Sequence, residues 1–211
     1  RKLLLRNGFG GGSIALLRRE AIDQVGGFDP TIRFGEDWDL WLRLRICGGD
    51  FGIVDTPLTL IRRHQNTQCH LPRLENIECV LQDHLSLLNK AFDALAPLSD
   101  ELNLIRKRSF GRQYGEAAIA SYTWQKTLQG HAWLSEAIRL DPGVWRDPEQ
   151  LSNLLVDYGL AVTELESDIS SRRINDFVHA TVSDIGTLVS LDRSFAAKLR
   201  GRLYAEVGFR H

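Results

Sequence analysis

From about residue 71 the apolar positions recur every three or four residues. In RLENIECVLQDHLSLLNKAFDAL (73–95), Ile77, Val80, Leu81, His84, Leu85, Leu88 and Phe92 fall along one stripe, which predicts a helix that Pro97 ends. A second helical stretch is predicted over about 99–127, and a third over 131–142 that stops at Asp141 before Pro142. Further helices are predicted near 148–162, 171–185 and 190–207. The first third alternates short apolar runs with glycine-rich turns. There SIALL (13–17) reads as a strand, RREAIDQV (18–25) as a short helix, and GGFDP (26–30) as the turn that breaks it. After Asp37, the residues Trp38, Trp41, Leu42 and Arg45 share one side of an amphipathic helix that CGGD (47–50) stops. FGIVDTPLTLIRRH (51–64) then reads as two extended runs about a bend at Asp55 to Pro57. The expected fold is α+β and mainly α, with an incomplete α/β portion over 1–70 and an all-helical domain over 71–211.

Within FGEDWDLWLR (34–43), two carboxylates stand immediately before two tryptophans. Glu36 and Asp37 occupy the first turn of the predicted helix, near the positive end of its dipole. Local spacing leaves two readings open. The acids cap a helix whose tryptophans fill a core, or one carboxylate, held ionised beside an aromatic wall, takes a proton from a bound hydroxyl.

Composition narrows the classes. The 211 residues are 43% hydrophobic and 25% charged, ordinary for a globular protein, so disorder is not expected. The formal net charge of -1 gives no general electrostatic case for nucleic acid, and the clusters at Arg18–Arg19, Arg62–Arg63 and Arg106–Arg108 are expected to be solvated faces. No apolar run reaches the length of a membrane span. Cys47, Cys69 and Cys79 are odd in number and lack framework spacing, which points to a reducing, cytoplasmic setting. His64, Cys69, His70 and Cys79 lack paired-ligand spacing, so no structural zinc site is expected. The chain begins at Arg1 and contains no methionine, and it is expected to be a piece of a longer protein.

The contiguous order GGGSIALLRREAIDQVGGFDP, EDWDLWLRL and PLTLIRRHQNT resembles the second half of the catalytic domain of family 2 glycosyltransferases, inverting enzymes of GT-A fold that use nucleotide sugars. The resemblance covers residues 3 to 68, about a third of the chain. It implies that Asp37 takes the proton from the acceptor hydroxyl as the sugar is transferred, steadied by Glu36, with Trp38 as an apolar platform for the acceptor. A single carboxylate base suffices for displacement with inversion. The resemblance further implies that His64 completes the coordination of a divalent metal, manganese or magnesium, on the donor diphosphate. Arg62 or Arg63 would meet a phosphate, and Gly11, Gly12 and Ser13 would let donor or acceptor approach closely. The first half of such a domain, with its metal-binding Asp-x-Asp, is absent from this stretch, so these residues alone are expected to be inactive.

The segment YGEAAIASYTWQKTLQGHAWLSEAIRLDP (114–142) resembles a tetratricopeptide unit, with small residues at helix crossings, a glycine between helices and EAIRLDP as the exit. A bundle using small residues at its crossings is the alternative. Two functions of different class follow. One is a sugar transferase acting on a carbohydrate or other hydroxyl acceptor, at the membrane periphery or free in the cytoplasm. The other is a helical module binding a protein partner, with a non-catalytic α/β remnant; exposed aromatics among Tyr114, Tyr122, Trp124 and Trp133 would mark it.

Overall fold

The computed structural model describes residues 1–9, 12–60, 76–147, 151, 171–189 and 193–208, and it is mainly helical. The helices are α1 (Lys2–Leu5), α2 (Arg19–Val25), α3 (Glu36–Ile46), α4 (Ile77–Ala94), α5 (Asp100–Thr123), α6 (Thr127–Leu140), α7 (Pro142–Arg146), α8 (Ser171–Val189) and α9 (Arg193–Gly208). None among the described residues is long and apolar enough to cross a membrane. The described residues fall into two compact units, one drawn from Arg1–His64 and Glu78–Phe110 and the other from Gln65–Ile77 and Gly111–His211. The units therefore do not follow the change of sequence texture near residue 70.

In the first unit α3 is central. Trp38, Leu40, Trp41, Leu42 and Leu44 are all buried, so the helix presents apolar side chains around most of its circumference rather than along one stripe. Trp38 and Leu42 join Leu4, Ile32, Leu88 and Phe92 in one cluster, while Leu40, Trp41 and Leu44 pack with Phe9, Leu17 and Val25 in another. Each large side chain buried this way contributes about 1.5–3 kcal/mol relative to exposure. Gly26 ends α2 in the left-handed region (φ 78°), its N–H bonded to the carbonyls of Ile22 and Asp23. This is the turn expected from GGFDP. Gly35 opens α3 in the same region (φ 82°), and a Cβ there would lie 3.1 Å from both His84 Cδ2 and Leu87 Cδ2. Backbone conformation and close packing both require glycine at that point.

The strands expected in the first third do not form among the described residues. Gly12–Ile14 is a single 3-10 turn, Ala15 to Leu17 carries no regular structure, and 51–60 carries no ladder. A strand needs a neighbour to satisfy its backbone, and apolar alternation without one leaves exposed side chains. Leu16, Ile53, Leu58 and Leu60 are accordingly exposed. The end of the second expected run, 61–64, lies outside the described residues, as does nearly all of the helix expected near 148–162.

In the second unit the end of α5 packs on α6 through small residues. A Cβ at Gly111 would meet Ala137 O, Leu140 Cβ and Asp141 Cβ at 3.3 Å, and one at Gly130 would meet the Tyr122 ring at 3.0 Å. Small residues at the crossing thus hold as expected, but the glycine placed between helices does not. Gly130 sits buried inside α6, and the left-handed residue of the turn is Gln125 (φ 58°). Leu134, Ala137, Trp145, Val178, Val182 and Ile185 continue the core, with α8 packed against α6 and α9. Tyr122 donates its hydroxyl to Asp184 Oδ2 at 2.7 Å, the oxygen that also lies 3.3 Å from His131 Nδ1. Burial, then the bond to Asp184, push the Tyr122 phenol far above its ordinary range.

Gly115 makes the tightest of these approaches, since a Cβ there would fall 2.7 Å from Cζ2 of the buried Trp145. Gly115→Ala is expected to destabilise the protein, because overpacking at about 1–3 kcal/mol outweighs the helix-propensity gain of up to about 1 kcal/mol. Gly186, inside α8 with nothing within 4 Å of its added Cβ, supplies the opposite sign. Gly186→Ala is expected to stabilise by about 0.5–1 kcal/mol. Denaturant unfolding of both variants measures the contrast.

Candidate functional site

The loop preceding α3 is held by α4. Asp83 Oδ2 accepts the backbone N–H groups of Arg33 and Phe34, each at 2.9 Å, and Lys90 Nζ donates to Asp29 Oδ2 at 2.7 Å. These bonds fix the chain entering Gly35, and the left-handed turn there sets Glu36 and Asp37 in the first turn of α3. No side chain takes the capping position, which Gly35 occupies. The acids act instead on the field of the open helix end.

Asp37 is half-buried and its two oxygens differ. Oδ1 accepts the Asn7 amide at 3.2 Å and the Trp38 backbone N–H at 2.7 Å, satisfying one of the free donors of the first turn. Asn7 is itself held, because its Oδ1 accepts the Phe9 N–H at 3.1 Å. Oδ2 of Asp37 carries no hydrogen bond among the described residues. A carboxylate anchored by one oxygen and open at the other can take up a proton without losing its position. Glu36 beside it is exposed.

Trp38 does not stand beside the acids as an exposed wall. Its side chain is interior, with Nε1 donating to the Leu3 carbonyl at 2.7 Å and the ring edge-on to His84 at 5.4 Å between centroids. At 2% exposure it offers no face to an acceptor, which corrects the platform role expected of it. The reason is tertiary, because α4 and the N-terminal segment close over the side of α3 that carries this ring. Trp41 packs in the core, edge-on to Phe9 at 5.7 Å and to Phe51 at 6.3 Å.

Gly12 and Ser13 lie exposed in the 3-10 turn, and no hydrogen bond joins Ser13 to the acid pair. An added Cβ at Gly12 would meet nothing within 4 Å, so no close approach within the chain calls for glycine there. Gly11, Arg62, Arg63 and His64 lie outside the described residues. The manganese or magnesium site implied for His64 therefore has no geometry here, and among the described residues no group of three His, Cys, Asp or Glu side chains is placed to hold a metal.

Two further residues matter here. Asn7 stands thirty positions from Asp37, beyond any local pattern. Arg43 was legible as the i+4 partner of Asp39, and it donates to Asp39 Oδ2 through Nε at 2.8 Å and Nη2 at 2.6 Å. No family model, curated protein or solved structure matches this chain.

The Lys90 hydrogen bond, with those of the Thr31 side chain and backbone, holds the Asp29 carboxyl well below its ordinary value of 3.8. A carboxylate depressed on folding stabilises fully above its unfolded value and loses that contribution as pH falls toward the folded one. The loop link is therefore expected to be intact at neutral pH and to weaken progressively below about pH 4. Lys90→Gln should lower stability at pH 7 by about 1 kcal/mol or less, as for a solvent-screened pair, with the difference from wild type shrinking in strong acid. Thermal melts of both proteins from pH 7 down to pH 2 test this.

Proposed function

We propose that this chain is the acceptor-side half of a nucleotide-sugar-dependent glycosyltransferase resembling family 2, joined to a helical region that orients an acceptor or partner protein. The observation that carries the reading is Asp37. Its Oδ1 is tied to Asn7 and to the Trp38 N–H, and its Oδ2 is open, at the positive end of a helix whose body is locked in the core. The motif order around it adds support, with GGFDP forming the expected helix-stopping turn and EDWDLWLRL the expected helix.

In this mechanism the acceptor hydroxyl bonds to Asp37 Oδ2. As its oxygen attacks the anomeric carbon from the face opposite the nucleoside diphosphate, the proton passes to Asp37 and the bond to the diphosphate breaks, inverting the centre. Glu36 keeps the local field negative. A divalent metal, when bound by His64 and the donor-side half, would supply charge for the departing diphosphate. The setting proposed is cytoplasmic, free or at a membrane surface.

The alternative, a helical interaction module, was to be marked by exposed aromatics. Tyr122 is buried, and Tyr114 and Trp133 pack against the core of the second unit, so that marker does not favour it.

Asp37→Asn in the full-length protein keeps shape and hydrogen-bonding capacity but cannot accept the proton. Turnover with a nucleotide sugar is expected to fall by about 10² to 10⁴ with donor affinity barely changed. If the acid serves only the helix end, the same change leaves turnover near normal and lowers stability by about 1 kcal/mol or less. Turnover and melting temperature measured on one preparation separate the two.

A further inference from the structure

The sequence contains a single Asn-Gly step, Asn7 followed by Gly8, and its asparagine is the residue that holds Asp37. Asparagine before glycine is the step most prone to deamidation, because no Cβ shields the following nitrogen as it attacks the side-chain carbonyl carbon. Gly8 is exposed, a Cβ added to it would meet nothing within 4 Å, and its N–H carries no hydrogen bond among the described residues. That nitrogen is therefore free to lose its proton and to turn toward Asn7. Asn7 Oδ1 accepts the Phe9 N–H at 3.1 Å, which draws electron density from the carbon to be attacked. The bond from Asn7 Nδ2 to Asp37, at 3.2 Å, lies at the long end of the hydrogen-bond range and does little to hold the amide back.

We propose that Asn7 is a deamidation site whose conversion releases Asp37. The Gly8 nitrogen bonds to Asn7 Cγ as its proton passes to solvent base, the Cγ–Nδ2 bond breaks, and the amide leaves as ammonia with a proton from water. Water then opens the cyclic imide at either carbonyl, giving aspartate or isoaspartate. Aspartate puts a carboxylate where the amide stood, facing Asp37 Oδ1, and two like charges at hydrogen-bond distance repel. Isoaspartate routes the main chain through the former side-chain carbon, so the donor is lost and the chain is longer by one carbon. Both flanks are fixed on α3, Leu3 by its carbonyl to Trp38 Nε1 and Phe9 by its ring on Trp41, so a longer connection loosens the segment between them. The candidate carboxylate site thus carries a one-way, time-dependent change in its own support. The inference does not rest on the sugar-transfer reading, because its test reads no turnover.

The test uses the 211-residue protein, incubated at mildly alkaline pH, with peptide mass spectrometry following the conversion of amide to acid at each asparagine. Asn89 and Asn103, followed by Lys90 and Leu104, are internal references. Asn7 is expected to convert at least about tenfold faster than either. Gly8→Ala, which the open surroundings of Gly8 tolerate, should melt as wild type does and slow conversion at Asn7 by about tenfold. Asn7→Asp reproduces the aspartyl product and should lower the melting temperature by about 2–4 °C. Adding Asp37→Asn to that variant puts a donor opposite the new carboxylate again and should recover most of the loss. Conversion at Asn7 no faster than at the references, or undiminished in Gly8→Ala, would overturn the modification site. An unchanged melting temperature in Asn7→Asp, or no recovery on adding Asp37→Asn, would overturn the release of Asp37.

Discussion

Trp38 constrains the first unit more than any other residue. Its indole fills the space between α3 and α4, and its N–H, which would be costly if left unpaired in the interior, is given to the Leu3 carbonyl. That single bond ties the N-terminal segment to the middle of the unit. Asn7 follows four residues after Leu3, and through it the segment reaches Asp37. The orientation of a candidate catalytic carboxylate thus depends on a tryptophan that takes no part in the chemistry proposed for it.

The third helix carries two carboxylates with opposite fates. Asp37 lies in the first turn and keeps an oxygen open. Asp39, two positions on and therefore about 200° round the helix, is buried against Arg43. Removing Arg43 would leave the buried Asp39 charge unpaired, and Arg43 also ties α3 to the end of α2 by donating to the Val25 carbonyl. An apolar pocket opens beside the pair.

The second unit is organised by absence of side-chain volume. Gly111, Gly115 and Gly130 let helices approach until an aromatic ring or a backbone carbonyl fills the gap, as Trp145 does over Gly115 and Tyr122 over Gly130. Tyr122 then has its hydroxyl carried to Asp184, so that a ring buried for packing also satisfies its polar end.

Helix positions were largely legible in the sequence, because they depend on local terms: the spacing of Ile77, Leu81, His84 and Leu88, the stop at Pro97, and the glycine at Gly26 where the backbone turns left-handed. The acid pair at the start of α3 was legible for the same reason. Apolar runs such as SIALL and FGIV were misleading, since alternation records only a capacity for pairing, and a strand exists only where another segment supplies the ladder. What tertiary structure alone decided is which side of α3 each residue faces. Spacing puts Trp38 beside Asp37 and Asp39 but cannot say that α4 and the N-terminal segment cover the tryptophan, that Asn7 reaches one carboxylate, or that Ala91 and Ala94 leave room near the other. Those outcomes rest on contacts between residues thirty or more positions apart, and no local propensity encodes them.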